Sequence, residues 1–428
     1  MRGPTGARPV ARRGFLPALF LAAATALPEP GAAEGRHLAV TTPQDQTPPK
    51  IAEPRHGCPA AGACTWARTY GGARADKLRA ATGLPGGDVV LVGRTRSHAG
   101  LRASGWAIRL NRTGERVWTR TLRGAADLDA LTAVVPARDG GVIAVGHTRT
   151  QGEGESDGWV IKLDRLGDVV WERTFGGATY DRLLGAAATP DGGVVATGFT
   201  ASRGAGDRDV WALRFDPSGD LVWQKTFGTP ADEGGFAATV RAAAVTIAGY
   251  ARADDGSYDV WAGRLALADG TATWTRRYDR SRLDGAMSAT ALPGGDVVLG
   301  AITTGNGFGQ DDIWVLRLRP DGALRWAVTL GGSNPDSPWS VAPAPGGGAL
   351  VAASTQSRGA GSADAWLVHL DAAGKVSWER TFGGELWDWP GVILPVDGDS
   401  LLLAGYTTSS GAGYEDGWVL RLDGRGRL

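Results

Sequence analysis

Between Leu183 and Phe227 the chain sets down four short apolar runs, each closed by turn residues. They are Leu183–Thr189, Val194–Thr200, Val210–Phe215 and Val222–Phe227. Within the last run apolar and polar positions alternate through Trp223, Gln224, Lys225, Thr226 and Phe227, the period of a strand with one buried face. Pro190-Asp191-Gly192-Gly193 separates the first two runs, and Asp216-Pro217-Ser218-Gly219 the last two. Such clusters supply the backbone angles of tight hairpin turns. No sustained helical period occurs in this stretch, so it predicts four antiparallel strands.

The unit recurs seven times, and two series of tryptophans mark it. One series is Trp106, Trp159, Trp211, Trp261, Trp314, Trp366 and Trp418; the other is Trp66, Trp118, Trp171, Trp223, Trp274, Trp326 and Trp378. Spacings within each series run from 50 to 53 residues. Four strands per period of this length predict an all-β chain, a seven-bladed β-propeller of four-stranded antiparallel blades. The fourth-strand series begins first, at Trp66, and the third-strand series ends last, at Trp418. The N-terminal strand Thr65–Tyr70 is therefore expected to pair with the last blade, close the ring and remove its open edges.

The paired indoles read as packing between blades, each worth roughly 2–3 kcal/mol when buried. Two acidic columns accompany them. One lies two residues before each third-strand Trp: Asp157, Asp209, Asp259, Asp312, Asp364 and Asp416, with Ser104 in the first copy. The other lies ten after each fourth-strand Trp: Asp76, Asp181, Glu233, Asp284, Asp336 and Asp388, with Leu128 the exception. Loop carboxylates in this arrangement would suit calcium. They would equally fix turns by accepting backbone N–H groups. Recurrence in six of seven copies favours the turn role, because a special site needs one special pair.

The innermost strands carry small residues, such as Ala186-Ala187-Ala188, with charge confined to Arg79 and Arg241. That pattern offers no inward set of acids, Arg and Tyr for a channel active site. Departures from the repeat are therefore the places to look for binding. Trp339 falls in a column of Leu131, Leu184, Phe236 and Met287 and reads as core. Trp387 and Trp389 fall in columns of mostly polar or small residues and flank Asp388, so they are expected to form an aromatic platform in a loop. Tyr180, in the Trp387 column, and Tyr414, in a glycine-rich loop, extend the candidate ligand-binding set to Trp387, Trp389, Asp388, Tyr180 and Tyr414. His147 stands alone in a column of Arg94, Phe199, Tyr250 and Tyr406 and carries little on its own.

Residues 1–33 read as an export signal: Arg2, Arg8, Arg12 and Arg13 precede the apolar run Phe15–Leu27, which is short for a membrane span. Arg12-Arg13-Gly14-Phe15-Leu16 is similar to a twin-arginine signal, the alternative being an ordinary secretory signal, with cleavage after Ala26 or Ala33. Residues 34–63 read as a disordered Pro/Ala/Gly-rich linker, and 64–428 as the propeller. Cys58 and Cys64 could join in an oxidising compartment or stand as two free thiols. The whole chain has 45 basic and 45 acidic residues; removing four Arg and Glu29 with the signal leaves 41 and 44, a net −3. No basic footprint for nucleic acid remains. The expectation is an exported monomer, periplasmic or extracellular, with no membrane span in the mature chain.

The unit of Thr-Phe-Gly-Gly, Pro-Asp-Gly-Gly, Gly-Ala-Gly and Asp-Val-Trp, clearest in Thr174–Gly219 and Thr381–Asp423, resembles bacterial secreted β-propeller repeats of surface and periplasmic proteins. The likeness spans about Cys64 to Leu428. It implies a binding or scaffold role, with a glycan or a protein or peptide on the loop face, rather than one chemistry. Asp164…Gly167…Trp171, Asp216…Gly219…Trp223 and Asp371…Gly374…Trp378 also resemble the tryptophan-docking motif of quinoprotein dehydrogenases. Those enzymes imply eight blades, adjacent cysteines and a calcium-linked base. Seven blades and separated cysteines argue against carrying over their quinone, PQQ, and no cofactor is expected. A propeller enzyme, quinone-dependent or polysaccharide-cleaving, is the alternative to a non-enzymatic binding module.

Overall fold

A computed structural model describes residues 65–98, 103–122, 129–305, 307–397 and 399–428. The expected signal (1–33), the linker (34–63) and the Cys58–Cys64 pair lie outside the described residues. Within them the chain forms seven four-stranded antiparallel units. Blade 1 is Asp76–Gly83, Val89–Thr95, Ser104–Leu110 and Arg116–Leu122. Blade 3 is Asp181–Ala188, Val194–Thr200, Asp209–Phe215 and Leu221–Phe227, so its first strand starts two residues earlier than the apolar run alone indicates. The innermost strands of the other blades are Ala130–Pro136, Glu233–Arg241, Leu283–Ala291, Asp336–Ala344 and Asp388–Val396. Each innermost strand packs on the next, and the last packs on the first, which closes a ring. Among the described residues no helix is long and apolar enough to cross a membrane.

The closing strand behaves as the tryptophan order requires. Trp66–Tyr70 pairs antiparallel with Asp416–Asp423, in a register that sets Thr69 opposite Trp418. It becomes the fourth strand of blade 7, whose other three strands come from the end of the chain. Neighbouring blades are also tied by a short parallel bridge at one recurring position. Ser156 meets Tyr180, Arg208 meets Asp232, and Ala363 meets Trp387. The amide after each bridge donates across the junction: Asp181 N–H to Ser156 O at 2.7 Å, and Asp388 N–H to Ala363 O at 2.8 Å. Asp76 N–H donates to Glu415 O at 2.7 Å, so the same device joins blade 7 to blade 1.

The fourth-strand indoles join consecutive blades on the outside. Each ring lies on the glycine of the next blade's last turn. A Cβ on Gly114, Gly167, Gly219, Gly270, Gly322, Gly374 or Gly426 would stand 2.7 to 3.1 Å from an indole carbon. These glycines have φ between +69° and +85°, which L side chains adopt poorly. The indole N–H of Trp66, Trp118, Trp171, Trp223, Trp274 and Trp326 donates to a carbonyl of that same turn at 2.9 to 3.2 Å. The Asp of the Asp…Gly…Trp motif shapes the turn itself: Asp216 Oδ1 accepts from Ser218 N–H and Asp220 N–H. The third-strand indoles Trp106, Trp159, Trp211, Trp366 and Trp418 are fully buried within the blade stack.

Two glycines of nearly equal φ separate backbone strain from this contact. Gly140 has φ +82° and open space where a Cβ would go; Gly219 has φ +84° and the Trp171 ring there. Gly140→Ala is expected to cost about 1–2 kcal/mol of left-handed strain. Gly219→Ala should cost at least roughly twice that, because the indole must also move. Chemical denaturation of both variants measures the difference; equal losses would mean that the indole seat contributes nothing.

Candidate functional site

The acidic columns form the frame beneath the loop face. Asp129 fills the place that the sequence count assigns to Leu128, because this junction holds one extra residue after Trp118. Its carboxylate is fully buried and accepts Arg149 N–H and Thr150 Oγ–H, each at 2.9 Å. The other members behave alike. Asp181 Oδ2 accepts Gly177 N–H at 2.9 Å and Ser202 Oγ–H at 2.6 Å. Asp312 Oδ2 accepts Phe308 N–H and Gly309 N–H at 2.8 and 3.1 Å. The carboxylates thus hold loop backbones in place. Among the described residues, no group of three or more His, Cys, Asp or Glu is arranged to hold a metal.

At the junctions one carboxylate from each column faces the other across a glycine. A Cβ on Gly71, Gly176, Gly228, Gly331 or Gly383 would lie 1.9 to 2.2 Å from the third-strand acid and 2.8 to 3.3 Å from the next blade's inner acid. This explains the glycine that directly follows five of the fourth strands. It also explains the titration. Burial, with the facing acid as a lesser cause, pushes the Asp157, Asp364 and Asp416 carboxyls up. Burial does the same for Asp312 against Asp336, and Asp312 beside it helps to push Asp311 up to about 6.

Asp388 belongs to this frame and not to a ligand surface. It is 0% exposed and accepts Gly384 N–H at 2.7 Å, Ser409 Oγ–H at 2.6 Å and Thr407 Oγ–H. Trp389 is not on a loop either: it lies in the strand Asp388–Val396, half-buried. Trp387 precedes that strand and is 40% exposed, with its ring 6.0 Å from Trp389. Tyr180 sits in blade 3, half-buried under the Arg149 guanidinium at 5.9 Å. Tyr414 is 79% exposed on the loop before Asp416–Asp423.

The partners that gather around the two tryptophans are different ones. Every innermost strand slips its register by one residue at its third, fourth or fifth position. The residues left unpaired are Arg79, Thr132, Leu184, Phe236, Met287, Trp339 and Gly391. A bulge of this kind re-aims its side chain, here to the mouth of the ring. Trp339 is therefore half-buried at the mouth rather than in the core. Its ring lies 5.4 Å from Trp389, and Arg79 lies 5.8 Å above it. Arg79 and Trp339 come from blades 1 and 6, so they meet across blade 7. Blade 7 has Gly391 at its bulge, packed so closely that a Cβ would lie 2.9 Å from Leu78 O.

Tyr406 completes the aromatic group, 5.7 Å from Trp389, with Lys77 Nζ 4.0 Å from its ring centre. Lys77 pairs with Glu415 at 2.6 Å. Burial lowers the Lys77 ammonium and raises the Tyr406 hydroxyl. Arg94 is the cross-strand partner of Lys77, and Arg182 and His147 lie near by. Burial and the neighbouring Arg182, Arg79, Arg94 and Arg149 hold the His147 imidazole well below its usual value, so it is neutral. Beyond the Arg79 that the innermost strands lead one to expect, the structure thus gathers Lys77, Arg94 and Arg182 near it. The cations sit near the starts of the innermost strands and, for Arg94, the end of a second strand, just outside the small-residue runs.

Comparison with known proteins agrees with this architecture. No family model matches the chain, and no curated protein matches it. Puromycin hydrolase is 16% identical over 83% of this chain and 53% of its own, with a TM-score of 0.52. The WD40 β-propeller domain of Doa1 is 11% identical over 83% of this chain and 94% of its own, with a TM-score of 0.50. BamB from Moraxella catarrhalis is more distant, 14% identical over 81% and 98%, with a TM-score of 0.44. The chain is a β-propeller. Similarity at this level shows the fold alone.

A cavity away from the mouth of the propeller offers a second place for a ligand. A cavity of about 450 Å³ lies on the rim between blades 3 and 4, lined by Phe227, Glu233, Trp261 and Arg277 among others. Of its two arginines, Arg276 and Arg277, the second is already engaged, 3.5 Å from Glu233 and 3.7 Å from Asp259.

The junction carboxylates set a pH dependence. A carboxyl raised in the folded protein holds its proton more readily than in the unfolded chain, so stability rises as pH falls from neutral toward about 4. Asp191 opposes this at the acid end: the Thr189 hydroxyl and Arg214 hold it at about 2, and its contribution is lost as pH falls below about 4. Asp312→Asn keeps an acceptor for the Phe308 and Gly309 amides and removes one charge. It should raise the melting temperature at pH 7.5 and flatten its rise toward pH 5. A lower melting temperature at both pH values would show that the charge itself stabilises the loop.

Proposed function

We propose that this protein is an exported, non-enzymatic β-propeller that binds a glycan at the mouth of its ring. The observation that carries this reading is the contiguous aromatic group Trp387, Trp389, Trp339 and Tyr406. Three of the four depart from the repeat and come together through the bulges and the ring. Flat, half-exposed rings beside polar groups suit the alternating apolar and hydroxylated faces of sugars. The recurring junctions below supply rigidity, so ligand contacts need little reordering. Export rests on the arginine-rich, apolar stretch at residues 1–33.

An enzymatic reading keeps one supporting observation. Among the described residues His147 Nδ1 is buried without a hydrogen-bond partner, beside the mouth cations. A neutral imidazole there could act as a base. Incubating the protein with glycans that bind and following chain length separates the two readings, since shortened product requires catalysis.

The binding reading is tested on a glycan array. Trp387 is the exposed member, so Trp387→Ala should change stability by about 0.5 kcal/mol or less. It should nevertheless weaken glycan binding by tenfold or more. Unchanged binding in this variant, or binding of peptides in place of glycans on a parallel peptide array, would refute it.

A further inference from the structure

The mouth carries more positive charge than its surroundings balance. Lys77 has its partner in Glu415, and Arg182 is engaged within the fold. Arg79 and Arg94 differ. Among the described residues neither makes an ion pair or a side-chain hydrogen bond, although Arg94 is half-buried on the strand Val89–Thr95. A guanidinium removed from water without a carboxylate is costly unless an anion meets it. Two neighbouring mouth atoms are buried without a hydrogen-bond partner, Trp389 Nε1 and His147 Nδ1. Burial and the nearby Arg79 depress the Arg94 guanidinium, and Glu415, already paired with Lys77, opposes them only in part.

Resting on the reading of the mouth as a glycan site, we infer that its ligand is an acidic oligosaccharide built of uronate residues, whose carboxylates meet Arg79 and Arg94. The aromatic and cationic halves of the mouth are physically joined. Arg79 lies over Trp339, Trp339 lies against Trp389, and Trp389 lies against Trp387. A uronate ring matches that arrangement with one apolar face for an indole and one carboxylate at a fixed distance from it. An acidic peptide offers no such flat face and carries its carboxylates on flexible stems, which lose more entropy on binding. A nucleic acid needs many phosphate contacts, and the mouth has two unpaired cations on a chain whose mature charge is near neutral. Arg presents a planar fork to a carboxylate, so two good donors suffice for a sparsely charged ligand.

The test uses the full-length protein and isothermal titration calorimetry. The probes are trigalacturonate and trimannuronate, the methyl ester of each, and a glutamate oligopeptide of the same charge. Both or either of the free acids should bind, with an affinity that falls as salt is raised, and the matching ester should bind at least tenfold more weakly. Arg79→Gln, on an exposed side chain, should lose tenfold or more for the acid and little for the ester. Arg94→Gln should do the same, with thermal unfolding run alongside to confirm that it folds. Equal binding of acid and ester, unchanged affinity in Arg79→Gln, or preference for the glutamate peptide would overturn the inference. Neutral sugars binding while both acids fail would overturn it and leave the glycan reading standing. Failure of every sugar, here and on the array, would remove both.

Discussion

The structure depends on the seat that each fourth-strand indole takes on the last turn of the following blade. A single four-stranded sheet has two apolar faces and cannot bury either alone. The indole covers the gap at the rim, its N–H satisfies a turn carbonyl, and a left-handed glycine leaves room for the ring. Around the ring this contact recurs at Gly114, Gly167, Gly219, Gly270, Gly322, Gly374 and Gly426. Because stability is a sum of such neighbour terms, the ring must close or leave one sheet edge and one indole without a seat. The pairing of Trp66–Tyr70 with Asp416–Asp423 supplies that closure and seats Trp66 on the first blade.

Toward the loop face the same junctions hold two buried carboxylates across a glycine. Burying charge is unfavourable, and the folded protein offsets it mainly with backbone and hydroxyl donors, adding Arg277 at Glu233 and Asp259. Asp181, for example, takes its hydrogen bonds from the Gly177 amide and the Ser202 hydroxyl. The glycine-rich loops are shaped by this need: at Gly204, with φ +102°, a Cβ would lie 2.2 Å from Asp209 Oδ2. The motif of glycines and acids is thus a loop-anchoring device that brings seven loops to one face with little freedom.

Upon this regular frame the mouth is irregular. Blades 6, 7 and 1 place Trp339, Trp389, Tyr406, Lys77 and Arg79 together, while blades 3, 4 and 5 put Leu184, Phe236 and Met287 at the same bulge. Repetition serves folding, and the positions freed from repetition gather at one end of the axis. A site built there draws on side chains from several blades at once, and each is held by a separate, rigid sheet.

The seven-fold period, the four strands per unit, the closing strand and the docking tryptophans were all legible in the chain itself. They are local or periodic properties: alternation sets which face is buried, and the order of two Trp series sets how the ends must meet. The mouth was not legible in that way. Arg79 and Trp339 are 260 residues apart in number and adjacent only because the ring closes and Gly391 vacates the place between them. Whether Asp388 faces a ligand or a loop amide, and whether Trp339 points to the core or to the axis, depends on a one-residue bulge. A shift of one residue reverses the face of a strand, and at blade 2 one extra residue after Trp118 put Asp129, not Leu128, in the acidic column. Sequence spacing therefore determined the scaffold, while side-chain direction at the bulges, a property of the assembled sheets, decided where charge and aromatic surface come together.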